Sequence, residues 1–223
     1  MAADQAEGLR GRSDRLPLRA LHCFFDSPRS THRLAAALQR QGRKALLVDT
    51  GGRMFADSPA RSLFDWRAQL ERGQLHTLPL PHGDGWHAPG LRADAPTLAR
   101  LAHAYDCLLI DAAPDAMAWR PLAGAAQAVV LEVPAGESAL LARYAFLKAV
   151  SARGALAGVG LIGDAAACAR LQAACGQFLD PAFAAGVYSV AAELDAFAAL
   201  AVRMTSEETG RTARIKQETP DGW

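Results

Sequence analysis

The residues best placed to do chemistry lie just after the apolar segments that read as strands. Asp26-Ser-Pro-Arg-Ser-Thr-His32 follows the first of these segments, Asp49-Thr-Gly-Gly-Arg53 the second, and Asp111-Ala-Ala-Pro-Asp115 the fourth. An aspartate closing a buried strand beside a crevice is where a magnesium ion or its waters would be held for phosphoryl transfer. The plainer reading of Asp49 and Asp111 is a helix cap or a loop carboxylate. A phosphate cradle needs glycines whose N–H groups converge on the anion, a lysine for charge and a hydroxyl for the metal. The first turn offers hydroxyls at Ser27, Ser30 and Thr31 and a cation at Arg29, but it has no glycine, no lysine, and too few residues. Ser30 and Thr31 are therefore expected to cap the following helix, and Arg29 is a single, weak anion contact.

These residues need a sheet to position them. Short apolar runs alternate with segments of helical period, which predicts an α/β fold with a doubly wound, mostly parallel sheet flanked by helices. The expected strands are 19–25, 44–49, 74–80, 106–111, 127–133, 157–162 and 185–190, and the expected helices 30–41, 94–104, 116–124, 137–153, 165–175 and 191–204. Gly42 supplies a C-terminal stop for the first helix. The domain is expected to span 19–204, preceded by a polar segment 1–18 and followed by a polar tail 205–223 expected to be disordered. Within the first segment, Asp4 to Arg10 (DQAEGLR) has Asp4 as a possible N-cap and Glu7 three positions on, a capping-box arrangement worth about two helical turns.

Composition removes several classes. The 223 residues carry 24 Lys plus Arg against 23 Asp plus Glu, so no net charge draws the chain to nucleic acid or to an anionic membrane. Four cysteines are too few for a disulfide scaffold, and Cys23, Cys107, Cys168 and Cys175 read as reduced core thiols. The start of the chain has no apolar leader pattern and no stretch nears the length of a membrane span, so a soluble, cytoplasmic protein is expected. The six histidines are not grouped for zinc, and no metal site is expected. No nucleophile-elbow arrangement of Ser, His and Asp appears. Trp66, Trp86 and Trp119 would suit a partner-binding rim if exposed.

The order KALLVD, a long excursion, YDCLLIDAAPDA and QAVVLEVPAGESALLARYAFLKAV resembles the MinD/ParA branch of P-loop ATPases over about 19–165. The resemblance implies that Asp49 ends the first switch strand and that Asp111 is the Walker B-like aspartate. It also exposes what is missing. The glycine- and lysine-bearing loop is absent at Asp26 to His32, and the second switch aspartate corresponds to Gly51. The degenerate nucleotide site thus comprises Ser27, Arg29, Ser30, Asp49 and Asp111, with neither ATP nor magnesium binding expected and the hydrolytic reaction lost.

The N-terminal DQAEGLR is similar to the DQAxxLR element of the FlhG/FleN family, regulators of flagellar number and placement, with Asp4, Gln5, Ala6, Leu9 and Arg10 matching. That resemblance implies a helix that binds and stimulates the SRP-type GTPase FlhF, with Gln5 directed toward its nucleotide. Flagellar switch or transcription-regulator proteins are further implied partners. Relatives of this family end in a membrane-targeting helix; here 191–204 has one basic residue, Arg203, so packing on the domain is expected instead, and membrane contact is at most indirect. The competing expectations are a divergent ATPase that grips nucleotide through Arg29, Asp49 and Asp111, and a MinD-like scaffold of a secretion or polysaccharide-synthesis apparatus.

Overall fold

The computed structural model describes residues 18–49, 53, 77–79, 105–112, 125–153 and 156–206. The expected helices 94–104 and 116–124, the Asp4 to Arg10 element, Gly51, the three tryptophans at 66, 86 and 119, and the tail from 207 lie outside these residues.

The chain opens with β1 (Arg19–Phe24), every residue of which is buried. After three residues it enters α1 (Pro28–Arg40), followed by β2 (Ala45–Asp49) and β3 (Thr77–Pro79). Then come β4 (Cys107–Ala112), β5 (Ala126–Val133), α2 (Glu137–Ser151), β6 (Gly158–Gly163) and α3 (Ala165–Phe178). The short α4 (Pro181–Ala184), β7 (Val187–Ser189) and α5 (Ala196–Thr205) complete the described chain. The seven strands form one sheet in the order β3-β2-β4-β1-β5-β6-β7. All six neighbouring pairs are parallel.

The expected α/β class holds, and continuous burial along the strands follows from helices covering both faces. On one face α1 and α5 press Leu34, Leu38, Phe197, Leu200 and Met204 onto Leu21, Leu47, Leu109 and Val130. On the other, α2 and α3 press Phe146, Leu147, Cys168, Leu171 and Cys175 onto Phe24, Val129, Leu131 and Leu161. All four cysteines are free and buried, as read from their apolar settings. Desolvation pushes the Cys107, Cys168 and Cys175 thiols up to about 11, which keeps them neutral.

Two helix starts differ from the sequence expectation. The first helix begins at Pro28, with Ser27 as its N-cap accepting the Arg29 N–H at 3.3 Å. Pro28 presets the helical φ and lacks the N–H that the first turn would leave orphaned, so the helix starts earlier than its apolar period suggests. Ser30 and Thr31 thus lie inside the helix and do not cap it. The last helix starts at Ala196 instead of 191, because the Asp195 carboxylate accepts the Ala198 N–H at 3.0 Å and fixes the cap there. Its inner residues Leu200, Ala201 and Met204 are fully buried, so α5 packs on the domain as expected. Close approach is possible because Gly160 of β6 has no side chain: a Cβ there would lie 2.4 Å from Leu200 and 2.7 Å from Met204.

Connections leave β1 toward β2 and leave β4 toward β5, in opposite directions across the sheet. A doubly wound sheet opens a crevice at the carboxyl ends of such a pair.

Candidate functional site

The crevice is built around a row of three residues. Parallel register sets Asp49 of β2 opposite Asp111 of β4, and Asp111 opposite Cys23 of β1. The period of two along each strand places both aspartates on the face covered by α1, and each is fully buried. Two adjacent buried carboxylates repel one another, and a counter-charge beside them relieves that repulsion.

Arg53 supplies it. Its Nε donates to Asp111 Oδ2 at 3.0 Å and its Nη2 to Asp111 Oδ1 at 2.9 Å, a two-bond fork. Its Nη1 donates to the Phe25 carbonyl just past β1 at 3.0 Å, and its backbone N–H to Asp49 Oδ1 at 3.1 Å. One residue therefore ties together the carboxyl ends of three strands, its side chain reaching β1 and β4 and its backbone N–H reaching β2. The hydroxyl of Thr31, in the first turns of α1 and fully buried, donates to Asp111 Oδ1 at 2.6 Å. Burial, with the Asp111 charge second, pushes the Cys23 thiol well above its usual range, so the third member of the row is neutral.

A second polar cluster lies across β1. The Asp26 N–H, at the turn where an anion would be received, donates to Glu132 Oε2 at 2.8 Å. Arg143 of α2 holds both partners, its Nε donating to the Glu132 carbonyl and its Nη2 to Asp26 Oδ1, each at 2.9 Å. A carboxylate of the chain thus meets this backbone donor, and a guanidinium of the chain meets the buried aspartates.

Of the residues expected here, Asp49 and Asp111 come together as buried carboxylates; neither ends as a helix cap among the described residues. Ser27 caps α1, Arg29 is exposed on its first turn, and Ser30 faces a separate groove. That groove, about 600 Å³, runs between α1 and the segment entering α5 and is lined by Ser30, Arg33, Glu132, Gly163, Leu194 and Phe197. Arg33 lies over the Phe197 ring, 4.2 Å from its centroid. The groove stands beside the aspartate row, and neither Asp49 nor Asp111 lines it. No group of three or more His, Cys, Asp or Glu able to hold a metal occurs among the described residues. No described helix is long and apolar enough to cross a membrane.

Sequence reasoning passed over Arg53, the role of Thr31, and the Glu132–Arg143 support. One signal was available: two aspartates ending neighbouring strands demand a cation, and Arg53, four residues beyond Asp49, is the nearest.

The chain matches no family model and no curated relative. Among solved structures it is similar to nickel-bound HypB from Helicobacter pylori, with 13% identity over 94% of this chain and 96% of that one and a TM-score of 0.49. It is also similar to the MinC:MinD cell division complex of Aquifex aeolicus, with 13% identity, coverage of 92% and 98%, and a TM-score of 0.43. A third likeness is to FtsY from Mycoplasma mycoides, with 18% identity, coverage of 67% and 52%, and a TM-score of 0.37. At these scores the likenesses assign neither a family nor an activity.

Proposed function

We propose that the chain is a catalytically silent MinD/ParA-type domain that acts by binding a partner, in the manner of an FlhG-like regulator of flagellar assembly. The observation that carries this reading is the Arg53 fork on Asp111. The carboxylate that would organise a metal in an ATPase is engaged by the chain's own guanidinium. The short β1–α1 turn adds to it. Three residues, Phe25 to Ser27, cannot wrap a triphosphate, and the Asp26 N–H is engaged by Glu132. Phosphoryl transfer depends almost wholly on positioned charge, and each of these departures removes a separate part of it.

Without that reaction, function resides in contact. The Asp4 to Arg10 element is the contact surface that the sequence supports, with FlhF as partner and Gln5 as the residue reaching its nucleotide; an amide can orient a water or meet a phosphate without ionising. Two measurements on the full-length protein test this. Calorimetric titration with ATP and magnesium should show no micromolar binding. Mixing with FlhF should raise GTP turnover, and Gln5→Ala should remove the increase. Tight ATP binding would overturn the silent-domain reading, and unchanged GTP turnover would overturn the FlhF assignment.

A further inference from the structure

We infer that Arg53 is a built-in counter-ion that takes the place of a bound divalent cation, so that the carboxyl edge of β1, β2 and β4 keeps its shape with no ligand present. This deepens the proposed function and rests on it in taking the edge to be free of bound nucleotide and metal.

Asp49 and Asp111 are in register, on one face and fully buried, and a positive charge beside them offsets their mutual repulsion. The guanidinium lies at 2.9 and 3.0 Å from the Asp111 oxygens and reaches the carbonyls of Phe25 at 3.0 Å and Ala112 at 3.4 Å. Those partners, with Asp49 and the Thr31 hydroxyl, are all oxygens, the donor type that hard divalent cations take. A tethered cation differs from a free one in two ways. Its local concentration does not depend on the solution, and a guanidinium does not lose its proton. The edge is therefore fixed where a ligand-dependent edge would switch, and a partner meets one surface under all metal conditions.

Removing the guanidinium should restore dependence on a metal. The test is the thermal midpoint of the full-length protein in EDTA and in millimolar manganese chloride, for wild type, Arg53→Met, Arg53→Lys and the double variant Arg53→Met/Asp111→Asn. Wild type should melt at the same temperature in both. Arg53→Met should melt lower in EDTA, by on the order of 10 °C for a domain of this size, and manganese should return part of that loss. The double variant has one charge fewer to compensate, so it should melt above Arg53→Met in EDTA and gain nothing from manganese. Arg53→Lys, which keeps the charge but loses the fork, should fall between wild type and Arg53→Met with no manganese response.

An Arg53→Met midpoint within about 2 °C of wild type, or equal manganese responses in the single and double variants, would overturn the inference. Should Arg53→Met not fold in EDTA, folding by the double variant supports the inference, and failure of both overturns it. ATP binding by wild type would sink the functional proposal while leaving this pattern of midpoints intact, so the two can fail separately.

Discussion

Two arginines, Arg19 buried and Arg53 partly buried, hold opposite edges of the sheet, and they do it with different partners. At the amino edge Arg19 opens β1, is 7% exposed, and donates to the carbonyls of Met204 at 2.7 Å and Ser206 at 2.9 Å. Those carbonyls belong to the end of α5, where the helix leaves its last acceptors unpaired and carries partial negative charge. At the carboxyl edge the Arg53 guanidinium meets the full carboxylate of Asp111, and its backbone N–H meets that of Asp49 beside it. The first arrangement fastens a terminal helix to the central strand, a task any similar fold could set. The second compensates a pair of acids that packing alone gives no reason to bury. A charge set against partial dipoles reads as assembly, and one set against paired carboxylates is what the proposed replacement of a ligand's charge requires.

That contrast is broken most directly at Asp111. Asp111→Ala takes away the carboxylate on which the Arg53 guanidinium forks and the acceptor of the Thr31 hydroxyl, and should cost about 3 kcal/mol in a chemical unfolding curve. A loss below about 1 kcal/mol would place the pair with ordinary surface salt bridges and undo the comparison.

Next in size is a pH effect from the strand that joins the two edges. His22, midway along β1, is 4% exposed with Nε2 2.8 Å from Gln127 Oε1. The Gln127 amide N–H₂ donates to the Ala125 carbonyl at 2.9 Å, which turns its oxygen toward the histidine and assigns Nε2 as the donor. Burial lowers the His22 pKa from 6.5 to about 4, the Gln127 bond opposing the shift. The folded state thus holds His22 neutral over a range in which the unfolded chain takes up a proton. Stability from this residue is complete above pH 6.5, falls as the pH drops toward 4 and levels off below it, by about 3 kcal/mol in all. Unfolding free energies of wild type and His22→Gln should therefore diverge in slope only in that window. Parallel curves would show that His22 is not the source.

The sheet was legible because buried parallel strands are written as uninterrupted apolar runs, as in KALLVD and DCLLID, and every expected strand has its counterpart. The start of α1 was not legible from the apolar period, since Pro28 and Ser27 set it by backbone preference. In the site, Asp49 and Asp111 were readable because strand ends are positions fixed by topology. Arg53 was not: it is one polar residue in a polar turn, and only strand order, which puts β4 between β1 and β2, reveals that its reach ends on Asp111. Glu132 and Arg143 were hidden for the same reason, being joined to Asp26 across more than a hundred residues of chain.

The comparison is sharpened at its other arm by Arg19→Met. The substitution removes two charge-assisted bonds to carbonyls and leaves no bare charge behind, so about 2 kcal/mol should be lost, less than at Asp111. Its effect should also be local. Amide exchange at Thr205 and Ser206 should quicken in Arg19→Met and stay near wild type in Asp111→Ala, once the change in global stability is allowed for. Equal quickening in both variants would mean the two edges unfold as one unit.

The smallest expected effect is at Tyr188, a buried polar group served by neither edge. Its hydroxyl has no hydrogen-bond partner among the described residues, and burial pushes its ionisation well above the ordinary phenol range. The ring does its share without the oxygen: Arg203 lies over it at 5.3 Å from the centroid, and it packs against the core beneath α5. Deleting a donor that is already unsatisfied removes a desolvation cost and breaks no bond. Tyr188→Phe should therefore leave the unfolding free energy within about 0.5 kcal/mol of wild type, or raise it. A loss of about 2 kcal/mol would reveal a partner for the hydroxyl, most simply a buried water, and would add a third polar anchor between the two arginines.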